Sequence, residues 1–340
     1  MLTNRGIRRV AGFILIFFLA GCAGSPAAIS QASTSAQAIT KLMWGYSGFA
    51  AFGFIIVESL LIITVIRFRY KGRDRLEKAA LPRQIEGNRF FELAWTTVPA
   101  LLLLVIFIFT VLTLWTITNR PSDVSADPQV VNVRVVGHQW WWEFQYPDLK
   151  ITTADEMHVP VDALVYITVD SVDVIHSFWV PQMGGKIDVI PGHTNHTWFQ
   201  PTQTGTYIGE CSEYCGTEHA NMRMDFVVDT LDQYDAWVKQ QQSPPPSLTG
   251  VAAQGEQFFL NGTCVNCHTI DGTTAAGTVG PNLSHLSSRK ILGGGVLTNT
   301  PANLAAWIKD PPGIKPGVKM PNLGLTDDQI QQLVEFLDSL

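Results

Sequence analysis

The sequence predicts a multidomain membrane protein: a two-helix transmembrane hairpin, then an all-β barrel, then an all-α C-terminal domain. Three observations predict it. Two apolar runs, about residues 42–66 and 93–117, each exceed the roughly 20 residues a helix needs to cross the hydrocarbon core. From about Val130, short alternating runs separated by turn signals replace them. Beyond Pro244-Pro245-Pro246, helix-prone segments surround a compact Cys-x-x-Cys-His motif. At 340 residues the chain is too long for one ordinary domain. Its formal net charge of −6 gives no reason to expect a nucleic-acid partner.

The N-terminus reads as an export signal. Arg5, Arg8 and Arg9 precede the apolar run from Val10 to Ala20, which is too short to span a bilayer. The run ends in Leu19-Ala20-Gly21-Cys22, which resembles the lipobox of bacterial lipoproteins and implies cleavage before Cys22 and lipidation of its thiol. The alternative is an uncleaved anchor with an incidental cysteine. Residues 22–40, rich in Ala, Ser and Gln, read as a flexible tether. The hairpin is expected over 41–120. Between its helices lie Arg67, Arg69, Lys71, Arg73, Arg75, Lys78, Arg83 and Arg89, so this loop belongs in the cytoplasm. Everything after about Asn119 then lies outside, in agreement with the independent export signal. Pro99 sits early in the second helix, where it is tolerated. Glu58, inside the first helix, is expected to face a partner subunit. Glu92, at the cytoplasmic mouth of the second, suits a helix N-terminus.

The β domain is expected over 121–240, as a sandwich or small Greek-key barrel. Val131, Val133 and Val135 alternate, and β-rich runs follow at 164–169, 187–190, 196–199 and 206–208, separated by turns such as Pro191-Gly192. The chemistry lies in Cys211-Ser-Glu-Tyr-Cys215-Gly-Thr-Glu-His219-Ala-Asn-Met222, with His176 upstream. Thiolate, imidazole and thioether donors on a β scaffold suit copper. A mononuclear copper site needs one cysteine. Two in one Cys-x3-Cys loop can bridge two coppers, leaving one histidine and one weak ligand for each. A Cys2His2 zinc site would use four of these ligands and leave Met222 idle, and a Cys211–Cys215 disulfide is the other alternative.

A linker is expected over 241–250 and the last domain over 251–340. Its Cys264-Val-Asn-Cys267-His268 is the attachment signature of c-type haem, with two thiols for the vinyl groups and an imidazole for the iron. A redox or zinc Cys-x-x-Cys is the alternative. Met320, the only methionine after this motif, is the candidate second axial ligand, and His285 is its competitor. Cys22, Cys211, Cys215, Cys264 and Cys267 are all the cysteines, so every one falls in a motif.

The Cys-x3-Cys loop, the Val172-Asp-Val-Ile-His176-Ser-Phe178 stretch and the hairpin resemble cytochrome c oxidase subunit II throughout 42–240. The resemblance implies a cupredoxin-like barrel holding the binuclear copper centre CuA. By motif position its ligands would be His176, Cys211, Cys215, His219 and Met222, with the backbone carbonyl of Glu213. The Glu213 side chain would reach a magnesium or manganese ion shared with subunit I. In Gly137-His-Gln-Trp140-Trp-Trp-Glu-Phe144, Trp140 takes the position of the family's electron-admitting tryptophan. In Glu92-Leu-Ala-Trp95-Thr-Thr-Val-Pro99, Glu92 takes that of the glutamate at a proton-path entrance. The order Cys-x-x-Cys-His, Gly280-Pro-Asn-Leu283, Met320-Pro321 and a final helix at 327–337 resembles class I cytochrome c. Together these imply the caa3 type of oxidase, a lipoprotein of the bacterial plasma membrane. It would pass electrons from haem c through CuA to subunit I, where oxygen is reduced to water and protons are moved. Expected partners are subunit I, subunit III, membrane lipid, and a soluble cytochrome c or membrane donor. One departure is visible: His193 occupies the Pro191-Gly192-His-Thr-Asn195 turn, where many members carry arginine, and it is not expected to bind copper. The rivals are a copper-containing nitric oxide reductase subunit, a relative of nitrous oxide reductase, and a membrane-tethered copper chaperone.

Overall fold

The computed structural model describes residues 29–68, 86–119 and 130–340. The signal segment, the lipidation site at Cys22 and most of the basic loop lie outside the described residues. The hairpin helices form one compact unit; the sandwich and the C-terminal domain belong to the other.

In the hairpin, α1 spans Thr34–Phe68 and α2 spans Arg89–Thr118. Both run past the apolar segments that predict them, and α1 takes in residues 34–40, which the sequence predicts to be flexible tether. At 35 and 30 residues they exceed what a bilayer core requires. Asn88 caps α2, its side chain accepting from the Phe90 N–H at 3.0 Å, and Glu92 lies in the first turn. Pro99 stands within α2. Large apolar side chains such as Leu60, Leu103 and Phe107 are exposed along both helices. A water-soluble pair would bury an apolar stripe; these surfaces call for lipid or another subunit. Between the helices the Tyr46 and Thr110 hydroxyls hydrogen-bond.

The sandwich comprises β1 (Val130–His138), β2 (Trp141–Tyr146), β3 (Ile151–Ala154), β4 (Glu156–Pro160), β5 (Leu164–Ser171), β6 (His176–Trp179), β7 (Ile187–Val189), β8 (Asn195–Phe199), β9 (Gly205–Cys211) and β10 (Arg223–Asp229). One sheet has the order β3-β2-β1-β5-β8 and the other β4-β10-β9-β6-β7. The pairs β1–β5 and β4–β10 are parallel. Alternation puts Trp142, Phe144 and Tyr146 of β2 inward, where they meet Phe178 and Phe226 in a closed core. Residues 29–36 strap onto this body, with the Ala32 N–H donating to the Gln182 carbonyl at 3.1 Å and the Ser33 hydroxyl donating to that of Met183. A helix, α3 (Leu231–Gln241), closes the sandwich; a Thr230–Gln233 capping box starts it, and Tyr234 and Trp237 are its buried residues.

Residues 242–249 separate α3 from the C-terminal domain. That domain contains α4 (Gly250–Asn261), a small hairpin of β11 (Ile291–Leu292) and β12 (Leu297–Thr298), α5 (Pro301–Lys309), α6 (Pro311–Ile314) and α7 (Asp327–Leu337). Helices α4 and α7 cross where Gly255 lets the backbones meet: a Cβ there would lie 1.9 Å from the Gln332 carbonyl oxygen. Phe259, Leu333 and Phe336 form the core at the crossing.

Across the β4–β10 pair, Asp225 stands opposite Glu156, with Asp155 beside them. Burial, together with the negative charges of Glu156 and Asp155, pushes the Asp225 carboxyl up to about 6. The folded chain therefore holds this proton more tightly than the unfolded chain. Stability is lost as pH rises from the ordinary value of 3.8 through about 6. Asp225→Asn is expected to raise the thermal midpoint near neutral pH and to leave it nearly unchanged below 3.8. Thermal scans at the two pH values check this; an equal effect at both would contradict it.

Candidate functional site

The strands bring the predicted soft donors together at one end of the sandwich. β6 delivers His176, fully buried, and pairs with β9 so that Phe178 faces Cys211. The β9–β10 hairpin closes below the loop, where the Cys211 N–H donates to the Met222 carbonyl at 3.0 Å. The two loop ends thus carry Cys211 and Met222 side by side. A short 3-10 turn, His219–Asn221, folds His219 back over the loop.

The donor atoms converge. Cys211 Sγ is 3.7 Å from Cys215 Sγ and 3.8 Å from His176 Nδ1. Cys215 Sγ is 3.6 Å from His219 Nδ1 and 3.8 Å from Met222 Sδ. The Glu213 carbonyl oxygen is 3.2 Å from Cys211 Sγ, while the Glu213 side chain is exposed. Both cysteines are free. The two sulfurs sit centrally, with one imidazole beyond each and the thioether beside Cys215. A four-ligand zinc site would have no use for a fifth soft donor built into the same knot. The arrangement fits two metals sharing two thiolates.

Hydrogen bonding between the two sulfurs, with His176 assisting, holds the Cys211 thiol well below the usual thiol range and, together with burial, pushes the Cys215 thiol up. His176 is presented in one orientation by Asp173, whose Oδ1 lies 2.9 Å from Nε2, so Nδ1 faces the sulfurs. Burial opposes ionisation of Asp173. Hydrogen bonds from His176, from the Gln139 and Val174 N–H groups and from Lys319 outweigh it and hold the carboxyl low. Asp173 is not among the residues the sequence singles out; its signal is the spacing of three residues before a ligand histidine.

Trp140 touches the loop directly. Its indole N–H donates to the Cys215 carbonyl at 3.1 Å, which the Gln139 side chain also reaches at 2.7 Å. Its neighbours diverge: Trp141 stacks on His138 with centroids 4.0 Å apart, and Trp142 is a core residue edge-on to His176. His193 lies in a turn outside this donor cluster.

In the C-terminal domain Cys264, Cys267, His268 and Met320 line one apolar cleft with Leu304 and Trp307. His268 Nδ1 hydrogen-bonds the Pro281 carbonyl at 2.8 Å, which leaves Nε2 to point elsewhere. Burial, aided by the Arg289 charge, lowers the His268 imidazole and keeps it neutral, as a metal ligand must be. His285, the competing ligand, lines a separate depression with Pro245 and Gly272. An apolar cleft lined by two thiols, an imidazole and a thioether fits a covalently held haem. Glu92 is on the hairpin unit, in the first turn of α2.

Comparison with known proteins gives three family matches. Residues 28–118 match "Cytochrome C oxidase subunit II, transmembrane domain", residues 150–230 match "Cytochrome C oxidase subunit II, periplasmic domain", and residues 252–340 match "Cytochrome c". A cytochrome c oxidase subunit 2 of Alkalihalophilus pseudofirmus is 33% identical over 330 residues, covering 96% of this chain and 94% of its own. Proteins of the same description from Bacillus sp. PS3 and Bacillus subtilis are 38% and 36% identical, covering 79% and 83% of this chain and 79% and 82% of their own.

Asp173→Ala removes the group that orients His176. Copper affinity of the full chain is expected to fall about 10- to 100-fold. Competitive titration with a copper chelator measures it, and an affinity equal to that of the unaltered chain would count against this role.

Proposed function

The chain belongs to the cytochrome c oxidase subunit II family, and from that premise we propose that it conducts single electrons from a c-type haem held by residues 251–340 to a binuclear copper centre held by residues 121–240, and from there to subunit I. It is a subunit of a haem–copper oxidase, an oxidoreductase, anchored in the membrane by its helical hairpin with both globular domains on the extracytoplasmic side. The observation that carries the proposal is the knot of two shared sulfurs, two imidazoles and a thioether in a chain that also supplies a Cys-x-x-Cys-His cleft.

Copper pair and haem supply one-electron chemistry when bound; the chain's residues hold and orient them. Cys211 and Cys215 would bridge the coppers, with His176 and His219 as the terminal imidazoles and Met222 and the Glu213 carbonyl as weak ligands. Cys264 and Cys267 would attach the haem, and His268 and Met320 would ligate its iron. The sandwich core excludes water from Cys211, Cys215, His176 and Met222, all of them buried. A buried, preformed ligand set reorganises little when its charge changes by one. Trp140 is the residue through which an electron reaches the copper loop; its hydrogen bond to the Cys215 carbonyl supports this.

The exposed Glu213 carboxylate would serve a magnesium or manganese ion shared with subunit I, supported by its position directly beside the copper loop. Glu92, in the first turn of α2, would stand at the entrance of a proton path in subunit I. Lipidation at Cys22, contact with subunit III, supply of electrons by a soluble cytochrome c or a membrane donor, and the caa3 assembly with proton translocation complete the reading.

The decisive assay compares oxygen uptake with nitric oxide consumption by the purified complex; oxygen uptake is expected, and nitric oxide consumption alone would reassign the partner. Cys215→Ser is expected to abolish or rearrange the mixed-valence copper signal in electron paramagnetic resonance. In the same complex, Met320→Ala should lose the low-spin Met/His haem spectrum. Persistence of either spectrum would remove that residue from its site.

A further inference from the structure

The sandwich and the C-terminal domain meet through buried polar groups that neither metal site requires. At the centre is Lys315, only 1% exposed. Its ammonium donates to three backbone carbonyls, those of Trp140, Asn221 and Gly293, each at 2.7 Å. Two belong to the sandwich and one to the C-terminal domain, so one cation stitches both bodies. Trp140 is the residue against the copper loop, and Asn221 directly precedes Met222.

Around the lysine, the tip of the β11–β12 hairpin enters the sandwich. The Gly294 N–H donates to Asp155 Oδ2 at 2.9 Å, and the Gly294 carbonyl accepts from the Arg223 N–H at 2.9 Å. Glu156 accepts from the Lys290 N–H and, at 3.1 Å, from the Ile291 N–H. Asp155 and Glu156 are themselves buried. Gly294 has a φ of +72°, and a Cβ on it would lie 2.7 Å from Lys315 Nζ and 2.8 Å from the Trp140 carbonyl oxygen. No other residue type fits that tip without moving the lysine.

The haem cleft lies at the same contact. Lys315 and Trp140 both line it. The Trp140 ring is close both to Gly317, where a Cβ would be 3.4 Å from its Cη2, and to Gly216 of the copper loop, where a Cβ would be 2.9 Å from its Cζ2. At the rim, Lys319, next to Met320, pairs with Asp173 at 3.2 Å, and Asp173 holds His176. Trp140 is 8% exposed, so this contact covers it. Lys315 and the Gly294 tip are tied across the contact by several backbone and carboxylate hydrogen bonds at once, so the two bodies separate only if all of these bonds break together.

We propose that Lys315, the Gly294 hairpin tip and Asp155 form a permanent clasp that positions the haem cleft on Trp140 and shuts soluble electron carriers out from that face. Lys315 is a positioning residue: it touches no reacting atom and acts through the Trp140 and Asn221 backbone. The clasp rests on the functional reading above. One electron lost by haem c is the one gained by the copper pair, and no bond changes. An external one-electron donor must then meet the outward side of the C-terminal domain.

The test uses the full-length chain in its purified membrane complex, with Lys315→Met keeping the stem and removing the charge. Amide exchange of the segments containing Ile291, Gly294 and Arg223 is expected to rise. After a ruthenium tris-bipyridine photoreductant delivers one electron to haem c, transfer to the copper pair should slow about tenfold or more, with haem and copper spectra unaltered. Exchange and transfer rates equal to those of the unaltered complex would overturn the clasp. If Lys315→Met loses the copper spectrum, Gly294→Val, outside both ligand sets, is judged by the same two readouts. An unaltered complex lacking the copper pair or the c-type haem would instead sink the functional reading.

Discussion

The structure depends on one constraint: two cysteine sulfurs must stand 3.7 Å apart in a buried pocket without joining. Left alone, two such thiols compete for a single proton. What keeps them in place is the β9–β10 hairpin, whose backbone bond from Cys211 to Met222 fixes the width of the loop at its base. His176 arrives from β6, which needs β9 beside it, and β9 needs β10. The sandwich core under these strands is therefore the support of the metal site. Phe178 is both a core residue and the cross-strand partner of Cys211.

A second theme is how polar groups are made tolerable inside. Asp173 answers His176, and Asp155 answers the Trp142 N–H as well as Gly294. Lys315 finds three carbonyls. Arg289, also buried, donates to the Asn282 carbonyl. Each is a group whose burial would cost several kcal/mol if left unanswered. Their concentration along the contact between sandwich and C-terminal domain sets that contact apart from the apolar cores on either side.

Much of this was legible in the sequence, and for a physical reason. Chemistry that lies within a few consecutive residues, as in Cys211–Met222 and Cys264–His268, declares itself by spacing. The membrane helices declare themselves by length, and Asp327–Leu337 by its place in the order of motifs that resembles class I cytochrome c. Strand β2 did not, because in Trp140-Trp141-Trp142 every residue is large and aromatic and the inward–outward alternation shows only in the fold. The short strands β3, β4 and β6, and β10 after the metal loop, are not legible, for want of length or clear flanking turns. Helix α3 carries a capping box at Thr230–Gln233, a signal that the sequence does offer. Lys315 was illegible in principle: a lysine among prolines and glycines usually points to water. Only a partner surface 175 residues earlier in the chain makes it a buried anchor.

The order of the strands also bears on how the protein matures. His176 and Cys211 are 35 residues apart and meet only once β6 has found β9, and the parallel β4–β10 pair joins segments still farther apart in the chain. Non-local pairings of this kind form late, after loop closure has been overcome. The copper ligands therefore come together only in the assembled sandwich. Cys264, Cys267 and His268, by contrast, are contiguous, and a nascent, unstructured segment already offers them together. One cofactor site is thus contiguous in the chain, while the other exists only through pairing of distant segments.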